Sequence, residues 1–147
     1  MRVGPNMPLR IAAGILAAGL AATASAQAPI SENEAALRAV FARHMADETR
    51  TLACVAVMQP ELLDGAKLSW NEILGSTAEI LERSRLPKVT IATLVANAQA
   101  ETLMREPPDP ADTRASCLAD KAWEEHFHKF MSYCLLGDVR EIIEGHR

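Results

Sequence analysis

The chain has 147 residues, of which 49% are hydrophobic and only 4% aromatic, and its formal net charge is −4. This length suits one domain rather than two, and the apolar fraction excludes a disordered chain, which could not bury enough surface to offset its ordering entropy. A mildly acidic chain also lacks the clustered positive charge that non-specific nucleic-acid binding requires, so we expect no nucleic-acid partner.

The first residues have the pattern of a secretory signal peptide. Arg2 and Arg10 are the only charged residues in 1–26, the run Ile11–Ala24 is apolar, and a small-x-small sequence, Ala-Ser-Ala, occupies 24–26. A positive start, a short apolar run and such a cleavage site are typical of exported proteins. A membrane-spanning helix would need about 20 apolar residues. We therefore predict a signal peptide at 1–26, a periplasmic or secreted location, and no membrane span in the mature chain.

The remainder, 27–147, predicts a single all-α domain. Ser31 and Glu34 have the spacing of a capping box, and apolar residues then recur every three or four positions, as on one face of a helix. Pro60 should end this helix because the residue before a proline avoids helical geometry. The predicted first helix is 32–58, with the polar stretch 47–51 as a candidate break.

Three further main helices follow from the same signals. A capping box at Ser69 predicts a second helix that ends before Pro87, and Thr90 is a candidate cap for a third. Beyond a proline-rich connector at 106–110, a long fourth helix is predicted from near Asp112 to Gly137, with Asp138 capping a last short helix. No segment alternates like a strand. The expected fold is a small helical bundle of about four main helices.

The mature chain contains three cysteines, Cys54, Cys117 and Cys134. On one predicted helix, Cys117 and Cys134 would lie about 25 Å apart, too far for a disulfide. In an up-down bundle, the end of the first helix meets the start of the fourth, which favours a structural Cys54–Cys117 bridge. A helical wheel places Cys117 off the apolar face, so this pairing needs an irregular first turn. Cys134 would then be a buried free thiol or an intermolecular linker.

No motif in the sequence points to catalysis. The nucleophile signature G-x-S-x-G and the glycine-rich phosphate loop are both missing, and no C-x-x-C-H sequence is present to attach haem. We therefore expect no enzymatic activity and no cofactor, with an enzyme of unrecognised type as an alternative.

Several histidines and acids raise the question of a metal site. Glu124 and His128 are four residues apart on a predicted helix, as are His44 and Glu48. Each pair supplies two ligands at most, whereas zinc needs three or four, so the set His44, Glu124 and His128 supports only an alternative role as a metal or small-ligand carrier. The simpler interpretation is that His128 is solvated and paired with Glu124, while His126 packs at the edge of the core.

The aromatic residues concentrate in one segment, at Trp123, Phe127 and Phe130. On the apolar face of a helix they would be core residues. If partly exposed, they would anchor a partner, because aromatic side chains dominate the energetics of protein interfaces. We therefore expect a non-enzymatic role in binding another protein, with these three residues as the candidate site.

One segment resembles a known family. Leu86–Val95 carries the order Pro-x-Val-Thr at 87–90, and Cys117 follows some tens of residues later. It resembles a segment of the periplasmic immunity proteins that block type VI secretion amidases. A Cys usually precedes that Pro in the family, whereas this chain has Leu86, and the similarity covers about a quarter of the mature chain. The length and the single predicted bridge are also similar to those of acid-stress periplasmic chaperones, although no shared motif carries that likeness. Both resemblances imply a helical envelope protein that acts by binding another protein.

Overall fold

The computed structural model describes residues 31–106 and 108–145, and over these residues the chain is all-α, without strands. The predicted signal peptide at 1–26 lies outside the described residues. Within the described part, no helix is both long and apolar enough to cross a bilayer. The described residues form six α-helices: α1 Glu32–Met58, α2 Leu63–Glu82, α3 Lys88–Leu103, α4 Pro110–Ala119, α5 Ala122–His128 and α6 Cys134–Glu144. Two short 3-10 helices, Pro60–Leu62 and Met131–Tyr133, precede α2 and α6.

The first helix has the predicted bounds. Ser31 Oγ accepts a hydrogen bond from the Glu34 backbone N–H at 3.2 Å, as the capping box requires. The polar stretch 47–51 does not interrupt the helix. Thr51 Oγ1 donates to the Asp47 carbonyl, one turn back along the same helix, at 2.8 Å. Helix α1 packs against all five other helices and is therefore the central element of the fold.

The second and third helices begin earlier than predicted. Helix α2 starts at Leu63, because the 3-10 turn after Pro60 leads directly into it, and Ser69 lies inside the helix instead of capping it. Helix α3 starts at Lys88, with Pro87 at the N-cap position, so Thr90 is already in its first turn. Proline suits a helix start because its fixed φ is compatible with the first turn and the N–H it lacks would be unpaired there.

The predicted long fourth helix is wrong, since two breaks divide it into α4, α5 and α6. At the first break Asp120 is extended (φ −130°), and its Oδ1 accepts a hydrogen bond from the Ala122 N–H at 3.0 Å. At the second break Phe130 has a left-handed backbone, with φ 50°. As a result Gly137 and Asp138 lie inside α6 and neither of them caps a helix.

The buried side chains form two clusters that share α1. The larger one joins α1, α2, α3 and α6, and includes Trp70, whose indole N–H donates to Thr102 Oγ1 at 2.7 Å. The smaller one joins α1, α4 and α5 around Cys54, Val55 and Trp123. Helices α4 and α5 are thus attached to the rest of the protein through one face of α1.

Candidate functional site

The disulfide anchors the smaller cluster. Cys54 on α1 and Cys117 on α4 are joined, and both are buried, which confirms the predicted pairing. The break between α4 and α5 explains why Cys117 seemed misplaced on a wheel drawn for one continuous helix. Cys134 begins α6 and is exposed, so the expectation of a buried free thiol is wrong.

The three predicted aromatic anchors have different environments. Trp123 is buried, with 2% of its surface exposed, and its indole N–H donates to the Cys117 carbonyl at 3.1 Å. It is a core residue. Phe127 is half-buried against the same cluster, whereas Phe130 is 65% exposed. Only Phe127 and Phe130 therefore reach the surface.

Phe130 has an unusual backbone as well as an exposed ring. It is the one non-glycine residue with a positive φ among those the structure describes. Its N–H donates to the Phe127 carbonyl at 3.2 Å, and its own carbonyl accepts from the Tyr133 N–H at 3.1 Å. These bonds hold the tight turn that joins α5 to the 3-10 helix. This left-handed conformation costs a bulky residue about 1–2 kcal/mol, whereas glycine adopts it freely.

A small pocket lies directly beside this turn. Its volume is about 200 Å³, and its lining includes Leu62, Phe127 and Phe130. Met131 and Tyr133, in the adjoining 3-10 helix, are also exposed to solvent. The polar members of the lining are Glu48, Thr51, Ser69, His126 and Ser132. We call the surface formed by Leu62, Phe127 and Phe130 the aromatic face.

A buried histidine–carboxylate pair lies in the same pocket. His126 Nε2 is 3.0 Å from Glu48 Oε2, and Glu48 is only 5% exposed. The sequence had paired Glu48 with His44 along α1, but each of these residues has its partner on another helix. The signal for this was available: an acid on the apolar stripe of α1 must find a hydrogen-bonding partner, because an unpaired buried charge is costly.

A second such pair joins α1 to α6. His44 Nε2 is 2.7 Å from Asp138 Oδ2, and the same oxygen accepts from Arg43 Nη2 at 2.6 Å. Nε2 is the ring nitrogen that faces the carboxylate. The other ring nitrogen, Nδ1, is buried without a partner. Asp138 therefore holds the two helices together, which is not the capping role that the sequence predicted.

The three candidate metal ligands do not come together. His44 faces Asp138 on α6, while Glu124 and His128 both belong to α5. The ring of His128 is exposed and lies edge-on to Phe127, with a centroid distance of 5.3 Å. Over the described residues, no group of three or more His, Cys, Asp or Glu side chains could hold a metal ion.

A larger cleft of about 980 Å³ runs along the opposite part of α1, between α3 and α4. Its lining includes the small side chains of Ala42, Ala46 and Ala53 and the two disulfide cysteines. Basic and acidic side chains are equally represented in this lining, so it has no net charge preference. They are Arg50, Lys67, Arg105, Glu101, Glu106 and Asp112.

Comparison with protein-family models, with curated proteins and with solved structures gives no match for this chain. The resemblance of Leu86–Val95 to type VI immunity proteins gains no support from these comparisons.

Proposed function

We propose that this is an exported helical protein that binds another protein through its aromatic face and catalyses no reaction. Within that role, it would act as an inhibitor, an immunity factor, a chaperone or an accessory of the cell envelope. The partner would contact Phe127 and Phe130, while Trp123 supports them from the core.

The observation that carries this proposal is the state of Phe130. Its ring is 65% exposed although its backbone is in the left-handed region. A turn selected only for stability would favour glycine there, both to relieve the steric cost and to avoid exposing an aromatic ring. Costly conformations of this kind tend to occur at functional sites, where the side chain is needed in one particular place.

Its neighbours extend the surface that a partner could cover. Leu62 is 43% exposed and Tyr133 51%, and Leu62 shares a pocket with both phenylalanines. Clusters of aromatic and large apolar side chains around a pocket are the usual anchors of protein interfaces. The aromatic face is therefore a better candidate than the large cleft, whose lining, within the described part of the chain, includes no aromatic side chain.

Export is supported by two independent features. The sequence of 1–26 predicts a signal peptide, and the chain contains a disulfide, a bond that persists mainly in oxidising compartments. We expect protein from a periplasmic or secreted fraction to begin at Gln27 and to contain one bridge. Intact mass measured before and after alkylation checks both points. An unprocessed chain inside the cell with three alkylated thiols would contradict export.

The binding role is tested by photo-crosslinking in the cell that makes the protein. A photoreactive phenylalanine analogue replaces Phe130 in one variant. In a matched control it replaces Val89, which is 72% exposed at the start of α3 and far along the chain from the aromatic face. We expect position 130 to capture one defined protein and position 89 not to capture it. Equal capture at both positions, or none at position 130, would overturn the proposal.

A further inference from the structure

We propose that the pocket beside Phe130 receives a single lysine or arginine side chain of the partner, whose cationic group meets the carboxylate of Glu48. This inference rests on the protein-binding function proposed above and specifies the chemistry of the partner at that site.

The first argument is the incomplete pairing of Glu48. Its carboxylate is 5% exposed and has one side-chain hydrogen bond in the described part of the chain, to His126 Nε2 at 3.0 Å. A carboxylate has about four acceptor positions, and the hydrogen bond with His126 uses one of them. Buried acids are normally both hydrogen-bonded and matched by a positive charge. Glu48 therefore has capacity for a cationic donor.

Among the described residues, no lysine or arginine lines the pocket. Lys129, the neighbour of Phe130 along the chain, is bound on the exposed side of α5 by Glu125. The formal net charge of the whole chain is −4, so a basic group approaching from outside is attracted and not repelled.

The mouth of the pocket suits the remainder of a long basic side chain. The exposed Leu62 and Phe130 and the half-buried Phe127 line the pocket, and an apolar stem can pack against them. Aromatic rings also attract cations electrostatically. The volume of about 200 Å³ is below the ~300 Å³ from which pockets for drug-sized ligands start. The space therefore fits one side chain and not a whole small molecule.

The pocket can be tested without knowing the partner. The probes are Nα-acetyl-arginine methylamide and its neutral counterpart Nα-acetyl-citrulline methylamide, titrated into the mature chain while NMR signals of His126 and Phe127 are followed. We expect saturable shifts with the arginine probe and at least tenfold weaker binding of the citrulline probe. Equal binding of both probes, or none of either, would overturn the inference.

Matched variants locate the interaction. Glu48→Gln should remove the preference for arginine over citrulline, whereas Glu79→Gln, which changes the net charge equally at an exposed position of α2, should keep it. If Glu48→Gln fails to fold, Phe130→Gly tests the same interaction. It leaves the carboxylate in place and removes an aromatic ring from the pocket lining. It should weaken the arginine probe several-fold. Unchanged binding in the folded variants would contradict the inference.

The two proposals can fail separately. If a partner is captured at position 130 but the pocket does not distinguish arginine from citrulline, the aromatic face binds proteins. The inference that the partner inserts a basic side chain is then wrong. If the pocket prefers arginine but no protein is captured, the pocket stands as a binding site and the protein-binding function is wrong.

Discussion

Phe130 departs from two usual preferences of a phenylalanine, which are a negative backbone φ and a buried ring. The backbone is in the left-handed region, and 65% of the ring remains in solvent. Nearby, Glu48 places an acidic side chain on the apolar stripe of α1, and its hydrogen-bond partner His126 belongs to another helix. In most proteins the preference of each residue agrees with its backbone conformation and burial. Residues that depart from these preferences concentrate at functional sites. Both departures here line the same pocket.

Replacing Phe130 with glycine should stabilise the protein. Glycine removes a steric cost of about 1–2 kcal/mol, and the exposed ring contributes little packing in return. We expect the free energy of unfolding, measured in guanidinium chloride, to rise by about 1 kcal/mol or to stay level. Phe127→Ala is the control. It should lower stability, because Phe127 packs against the cluster around the disulfide. A large loss of stability in Phe130→Gly would show that the ring belongs to the core.

At the scale of single elements, the parts that could be predicted are those governed by local signals. The bounds of α1 follow from a cap, an apolar stripe and Pro60, and these three agree. The breaks after α4 and α5 could not be predicted in this way, because long-range contacts reinforce them. Arg50 of α1 donates to the Ser116 carbonyl at 3.3 Å and to the Asp120 carbonyl at 3.1 Å, holding the end of α4. The misplaced Cys117 was the one local hint of a break.

The disulfide should matter most for the helices of the smaller cluster. It closes a loop across a sequence separation of 63 residues, which the chain-entropy relation converts to about 4 kcal/mol. In the double variant Cys54→Ala/Cys117→Ala we expect amide exchange to accelerate first in α4 and α5. Neither helix contributes a buried residue to the larger cluster, so both depend on the smaller one. Cys134→Ala is the matched control and should leave exchange unchanged, since its thiol is exposed. Uniform acceleration in all six helices would contradict this division.

An exposed ion pair within the α5 segment has a defined pH dependence. The hydrogen bond and the charge of Lys129 lower the pKa of Glu125 below its usual range. Since the folded-state pKa is the lower one, the associated stabilisation is present above the ordinary glutamate range and is lost as the pH falls through the lowered value. In Lys129→Met we expect the pKa of Glu125, followed by NMR titration, to return towards the usual range. An unchanged pKa would exclude Lys129 as the cause.

For the molecule as a whole, the architecture places the candidate site where two structural units meet. α1 belongs to both buried clusters, and Glu48 on α1 contacts α5 across the pocket. The sequence predicted the aromatic segment as a site from composition alone. It could not show that Trp123 is core while Phe130 is exposed, nor that Glu48 lies beside both phenylalanines, because these facts depend on where the chain turns. Local patterns identified the segment, and the tertiary structure shows which of its aromatic residues reach the surface.

We attribute the exposed ring and left-handed backbone of Phe130 to partner binding and not to folding stability. The most direct test is the dissociation constant of the purified complex with the protein captured at position 130, measured for the native chain, Phe130→Gly and Val89→Ala. We predict that Phe130→Gly binds at least tenfold more weakly, a loss of about 1.4 kcal/mol or more, while remaining as stable as the native chain. Val89→Ala should bind normally. Native affinity in a folded Phe130→Gly would contradict the account.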